Sequence, residues 1–249
     1  GYANLGSLLM NLGLPYDSDL GRITAGLITS IMTAEAYKMS AKLALIKGPF
    51  AGYELNKGPM LKIIEKHSAA TDNLKRNYQN PLLASLALES IKTWQEASEL
   101  GKRFGFRNSQ VTLLAPTGTI AFLMDCDTTG IEPELALVKY KKLVGGGTLK
   151  LVNNQVPAAL KRLGYDEQQI SAISAYLLEK ETIEGAPSLK SEHLPIFDCS
   201  FKAARGTRSI TYMGHIKMMS VVQPFLSGAI SQTVNLPSNA TVDDIKDTF

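Results

Sequence analysis

The chain has 249 residues, 45% of them hydrophobic, and sets 26 Lys and Arg against 23 Asp and Glu, a formal net charge of +3. That length can bury a substantial core, and near-balanced charge with no long run of one sign excludes general nucleic-acid or membrane binding through a basic patch. No apolar run reaches membrane-spanning length and no secretory leader opens the chain. Two cysteines, Cys126 and Cys199, without a CxxC pair, argue for a reducing cytoplasm and against a zinc site.

The first hundred residues read as helices. Tyr2 to Leu12 places Leu5, Leu8, Leu9 and Leu12 at helical spacing until Gly13 and Pro15 end it. Ser18 or Asp19 can cap a long second helix that Gly48-Pro49 closes, with Ile23, Leu27, Ile31, Ala34 and Met39 near one face. A third helix is expected over Glu54 to His67. A fourth is expected over Pro81 to Phe104, with Leu86, Ser90, Trp94, Ala97 and Gly101 as its stripe. The chain opens without Met on a helix already under way and stops just inside another that Ala240 to Asp244 begins, so an internal fragment of a longer polypeptide is expected.

From Asn108 the pattern is α/β. Strands are expected at Val111–Ala115, Ala136–Tyr140, Thr148–Val152, Phe197–Phe201 and Ala229–Leu236. Helices are expected at Asn154–Leu163, with Pro157 in the first turn, at Asp166–Leu178, with Asp166 and Gln169 as a capping box, and at Ile210–Leu226. Alternation of this kind predicts parallel pairing through crossovers. Gly145-Gly146-Gly147 suits a tight turn or a close backbone approach to a ligand.

Leu113 to Pro133, LLAPTGTIAFLMDCDTTGIEP, is the most informative stretch. A short apolar strand ends at Pro116, a small hydroxyl-bearing turn follows, and a helix can start. Unpaired first-turn N–H groups and the positive end of the helix dipole favour an anion there, and the same residues also serve plain capping. The candidate phosphate ligands are Ala115, Pro116, Thr117, Gly118, Thr119 and Ile120, with Arg107, Asn108 and Glu132 as candidate supports of the loop. Lys139, Lys141 and Lys142 suit a solvated face or added positive field. His67, His193 and His215 show no metal-ligand spacing, and His215 reads as a core histidine bonded to backbone.

PTGTI followed by TTGIEP closely resembles the phosphate-binding strand and loop of ribonucleotide reductase large subunits. FGFRNS at Phe104–Ser109 resembles the approach to that strand. VKYKKLVGGGT at Val138–Thr148 and HIKMMSVVQPFLSGAISQTVNLP at His215–Pro237 resemble the adenosylcobalamin-dependent (class II) branch. The resemblance runs over nearly the whole chain. It implies one domain cut at both ends: residues 1–107 as a helical segment, and 108–249 as the second half of a ten-stranded α/β barrel with the phosphate loop. It also implies reduction of ribonucleotides, expected as diphosphates, by thiyl-radical chemistry with adenosylcobalamin as cofactor. A thioredoxin-type or dithiol reductant, allosteric nucleotides bound outside this chain and a homodimer are the implied partners. The family's radical cysteine lies in an Asn-x-Cys-x-Glu pattern that does not occur here. Neither Cys126 nor Cys199 is therefore given a catalytic role, and no disulfide between them is expected. Three other readings remain: the diiron-tyrosyl (class I) large subunit, a non-radical phosphate-binding α/β enzyme, and a noncatalytic helical interaction protein.

Overall fold

A computed structural model describes residues 1–74, 80–142 and 145–249 of the chain. Its contacts divide into two compact units. One comprises residues 22–115 and 218–231 together with Gly1; the other comprises 2–21, 116–217 and 232–249. No helix among the described residues is long and apolar enough to cross a membrane.

The first unit is helical. It holds most of α2 (Asp19–Lys47), with α3 (Tyr53–Leu74) and α4 (Pro81–Phe104). Helix α4 has the bounds its sequence announces. The Asn80 side chain accepts the Leu82 and Leu83 N–H groups at 3.0 and 3.4 Å, Pro81 occupies the first turn, and Gly105 stops the helix at φ 73°. Helix α3 runs two turns beyond the expected end at His67.

The inner face of α2 is lined with hydroxyls rather than with the expected apolar stripe. Leu27 and Ala34 are buried, but Met39 is 53% exposed, because the buried arc continues through Tyr37, Ala41 and Ala44. Buried Ser30 meets Thr71 at 3.1 Å and Ser90 at 2.7 Å, and accepts the Trp94 indole N–H at 2.8 Å. Thr33 meets Thr112 at 2.9 Å. Each hydroxyl can donate one bond and accept others, so the network satisfies itself out of water. Around it pack Tyr37, Tyr53, Ile64, Trp94 and Phe106. The His67 ring stacks on Trp94 at 5.6 Å, and its Nδ1–H donates to the Pro224 carbonyl at 2.6 Å.

The second unit carries α1 (Leu5–Asn11), α5 (Gly118–Leu123), the strands β1 (Val138–Lys142) and β2 (Thr148–Val152), α6 (Gln155–Arg162), α7 (Glu167–Lys180) and α9 (Val242–Lys246). Helix α1 starts later than expected because Asn4 sits at φ 71°, outside helical space. Asp166 and Gln169 complete the expected capping box of α7, and Thr241 with Asp244 forms another on α9. Val156, Leu160, Ile170, Ile173, Leu177 and Phe197 form the core under the sheet. Helix α8 (Tyr212–Val222) ends in a 3₁₀ turn, Gln223–Phe225, where Pro224 supplies no N–H and interrupts the helix expected to reach Leu226.

The described residues are mostly helical, with one two-stranded sheet, and do not by themselves show the expected half of a ten-stranded barrel. Strands β1 and β2 pair antiparallel, Val138 opposite Val152, not through a parallel crossover. Gly145, Gly146 and Gly147, at φ 93°, 99° and 89°, form the turn between them; Leu143 and Val144 of that motif lie outside the described residues. Of the strand expected at Val111–Ala115, only Leu114 makes a bridge, parallel to Ile230 of the strand expected at Ala229–Leu236. Its N–H donates to Ala229 O at 3.0 Å and its carbonyl accepts from Ser231 at 2.9 Å. A strand exists only as far as a neighbour matches its donors and acceptors, and this pairing stops after one residue. The strand expected at Phe197–Phe201 begins as a 3₁₀ helix, Ser191–Phe197. Ser200 and Phe201 then donate to the Glu134 and Leu135 carbonyls.

Gly101→Ala tests the packing of α4. Alanine is the better helix former by about 1 kcal/mol. A Cβ at this position, however, would sit 2.1 Å from Phe106 Cζ. We expect a net loss of ~1–3 kcal/mol in urea unfolding; a gain in stability would refute the contact.

Candidate functional site

The turn after Pro116 has an unusual backbone. Thr117 caps α5 in the left-handed region, at φ 56° and ψ 25°, and its side chain does not cap the helix. Its Oγ1 instead accepts the Gly130 N–H at 2.6 Å, so the PTGT turn and the TTGIEP loop are joined directly. A β-branched residue costs energy in this conformation, and a short hydrogen bond offsets part of it. Gly118 is exposed, and no other heavy atom lies within 4 Å of where its Cβ would be. Thr119 is exposed, and its hydroxyl has no hydrogen-bond partner among the described residues. The first-turn N–H groups at 118–120 have no preceding turn to bond to. Behind them, Ala121 is buried, while Ile120, Phe122 and Leu123 are 58%, 88% and 88% exposed. Ala115 ends the other compact unit and is half-buried.

The TTGIEP loop is held along its length. Thr128 receives bonds from the Ser7 N–H and donates its own N–H to Asn4 Oδ1 at 3.0 Å. The Tyr16 hydroxyl donates to the Ile131 carbonyl at 2.9 Å. Buried Glu132 accepts the Thr233 N–H at 3.2 Å. Gly6 lies so close to this loop that a Cβ would sit 2.6 Å from the Glu132 carbonyl oxygen. The Gln232 side-chain NH₂ donates to the Tyr16 oxygen at 3.1 Å and lies 3.3 Å from His215 Nδ1. His215 is thus a core histidine bonded to a side chain rather than to backbone. With Nδ1 accepting, its proton is on Nε2, which is buried without a partner. Burial lowers the His215 pKa and raises that of Tyr16, so both stay neutral around pH 7.

A family model described as the ribonucleotide reductase barrel domain matches residues 1–249. The chain belongs to that family. Over 249 residues it is 52% identical to the vitamin B12-dependent ribonucleotide reductase of Rhodopirellula baltica, a match covering 100% of this chain and 24% of that protein. The corresponding Streptomyces coelicolor enzyme is 51% identical, with 25% of its length covered. The vitamin B12-dependent ribonucleoside-diphosphate reductase of Mycobacterium tuberculosis is 29% identical over 99% of this chain and 28% of that protein. The chain therefore spans about a quarter of the length of these curated relatives.

Within this reductase barrel-domain chain, the other singled-out residues have partners of their own. Arg107 donates to the Gly48 and Pro49 carbonyls, and Asn108 exchanges bonds with Ser40, so both fasten the end of α2. Lys139 is half-exposed and paired. It pairs at 2.7 Å with Glu134, whose side chain is 1% exposed, and donates to the Asp127 carbonyl. The side chains of Lys141 and Lys142 lie outside the described residues. Glu134, which also bonds Asn153, escaped the sequence reading, because nothing in IEPEL distinguishes a buried carboxylate from a solvated one. Cys126 and Cys199 are both free thiols. Burial, with Glu134 and Asp198 nearby, pushes the Cys199 thiol well above its usual range, which keeps it protonated and inert. Among the described residues no group of three or more His, Cys, Asp or Glu is placed to hold a metal ion.

Thr117→Val keeps the branch and removes the acceptor. The stranded Gly130 N–H should cost ~1–3 kcal/mol and raise the exchange rate of that amide, and Thr117→Ser should restore both. Equal Gly130 protection in the valine variant would show that the bond does not hold the loop.

Proposed function

We propose that this chain is the substrate-phosphate-holding part of an adenosylcobalamin-dependent ribonucleotide reductase acting on ribonucleoside diphosphates. The observation that carries the reading is the turn at 115–120: an exposed, unobstructed Gly118, an outward Thr119 hydroxyl and first-turn N–H groups, all on a backbone pinned by the Thr117–Gly130 bond. Donors fixed before the ligand arrives bind an anion without a reorganisation cost. Ala115 and Pro116 lead the chain into the turn, and Ile120 closes its first helical turn. Glu132 supports the site from the clasped loop.

The names of the relatives support both the cofactor and, in one case, the diphosphate substrate; they favour this branch over the diiron-tyrosyl one. The described histidines are enclosed or already bonded, so none of them would hold the cofactor. His67 and His215 are buried, and His193 bonds the Tyr165 hydroxyl at 2.8 Å. No step is therefore assigned to the cofactor through these residues, and the radical and redox cysteines are assigned to sequence outside this chain. A dithiol or thioredoxin-type reductant and allosteric nucleotides belong to the same proposal. The share of this chain is to fix the phosphates, and through them the ribose.

Thr119→Val in the full-length protein should lower kcat/KM for every ribonucleotide by roughly 10- to 150-fold, the worth of a lost hydrogen bond to a charged group, with little change in stability. Gly118→Val should do more harm, since it fills the open approach. Unchanged kcat/KM together with a lowered unfolding midpoint would make the turn a plain helix cap.

A further inference from the structure

One side chain reaches both ends of the TTGIEP loop. Lys139, on β1, places its ammonium 2.7 Å from Glu134 Oε1 and donates to the Asp127 carbonyl at 2.9 Å. Asp127 immediately precedes the loop, which starts at Thr128, and Glu134 immediately follows it after Pro133. The Glu134 carboxylate also accepts the Leu135 N–H at 2.8 Å and a bond from Asn153 Nδ2. A charge as enclosed as this one is kept only when a cation and further donors surround it. Asp127 is held a second time: Gln155 Nε2 donates to its Oδ2 at 2.9 Å, and Asn11 Nδ2 donates to Gln155 Oε1 at 2.9 Å. Between the two ends lies Gly130, whose N–H is bonded to Thr117 Oγ1. Joining the ends of a loop removes much of its conformational freedom, so its middle is presented in few positions.

We propose that Lys139 is a positioning residue for the phosphate turn, acting through Glu134, Asp127 and the Thr117–Gly130 bond. The proposal rests on the reading of residues 115–120 as the substrate-phosphate site. The ammonium joins the ends of the loop, the joined loop places Gly130, and Gly130 keeps Thr117 in the left-handed region. The charge of Lys139 is already neutralised by Glu134, so its contribution is position and not positive field. Without the ammonium the loop samples more open arrangements, and the turn is ready for an anion only part of the time. Substrate must then order the turn as it binds. Its apparent affinity falls by the fraction of time that the turn is ready, while the complex, once formed, is unchanged.

The test uses the full-length protein with adenosylcobalamin, a dithiol and ribonucleoside diphosphates over a range of concentrations. Lys139→Met keeps the aliphatic stem and removes the ammonium. It should raise KM about tenfold, as for a turn that is ready ~10% of the time, and leave kcat within about twofold. Lys139→Arg can still span both ends and should recover most of the KM. A merely structural lysine gives the opposite pattern, since fewer folded molecules lower the measured kcat and leave KM alone. Lys139→Met also strands the Glu134 carboxylate. Lys139→Met/Glu134→Gln removes that charge as well, and should keep the fold and show the same rise in KM. Deuterium uptake at residues 127–134 should quicken in Lys139→Met and return to the parental rate in Lys139→Arg. Lys139→Met/Thr117→Val should raise KM no further than Thr117→Val does, because both changes act on one bond. An unchanged KM in Lys139→Met and in Lys139→Met/Glu134→Gln overturns the proposal. So does a full sum of the two effects in Lys139→Met/Thr117→Val. A normal Thr119→Val beside a raised KM in Lys139→Met would remove the phosphate contact at Thr119 and keep Lys139 as the clamp. An impaired Thr119→Val beside an unchanged KM in Lys139→Met would keep the phosphate turn and remove the clamp.

Discussion

The hydrogen bond from the Gly130 N–H to Thr117 Oγ1 organises this end of the molecule. It holds a β-branched residue in the left-handed region at the start of α5, next to an exposed Gly118. Without it, Thr117 would relax toward an ordinary cap and its hydroxyl would turn inward to the helix. The backbone of the turn is therefore set by a residue 13 positions further along the chain.

That loop is in turn tied at several points. Asn4 and Ser7 hold Thr128, Tyr16 holds Ile131, and Thr233 holds Glu132. Several of these partners are buried, so each bond is made away from competing water and is costly to break. The small residue at Gly6 permits this, since any side chain there would collide with the loop backbone. Such a clasp holds the loop backbone in one arrangement.

The same reliance on satisfied polar groups runs through the helical unit, where Ser30 serves Thr71, Ser90 and Trp94 at once. Hydroxyl networks of this sort contribute little net energy but admit few alternative packings, because a shifted register would leave donors stranded. Glu134 with Lys139 and Asn153 does the equivalent in the second unit. These groups specify the arrangement, while the apolar residues around them provide most of the driving force.

What the sequence by itself determined was local. Asn80-Pro81 started α4, Gly105 stopped it, and Asp166 with Gln169 opened α7, because caps and breakers act between residues within one helical turn. The PTGT and TTGIEP motifs likewise pointed to the family and to the position of the turn. Only the tertiary structure decided the rest. The strand expected at Val111–Ala115 shrank to a single bridge because its partner, Ile230, is distant in the chain and matches it at one residue. Met39 was placed on the wrong face because the inner arc of α2 is built from hydroxyls whose partners lie on α3 and α4. Glu134 could not be read as a buried carboxylate paired with a half-exposed Lys139, since a carboxylate looks the same in sequence whether solvated or enclosed. The role of the Thr117 side chain depended on Gly130, and that of Glu132 on Thr233. Hydrogen bonds between residues far apart in the chain leave no periodic trace in the sequence; they exist only once the chain has folded and excluded water from them.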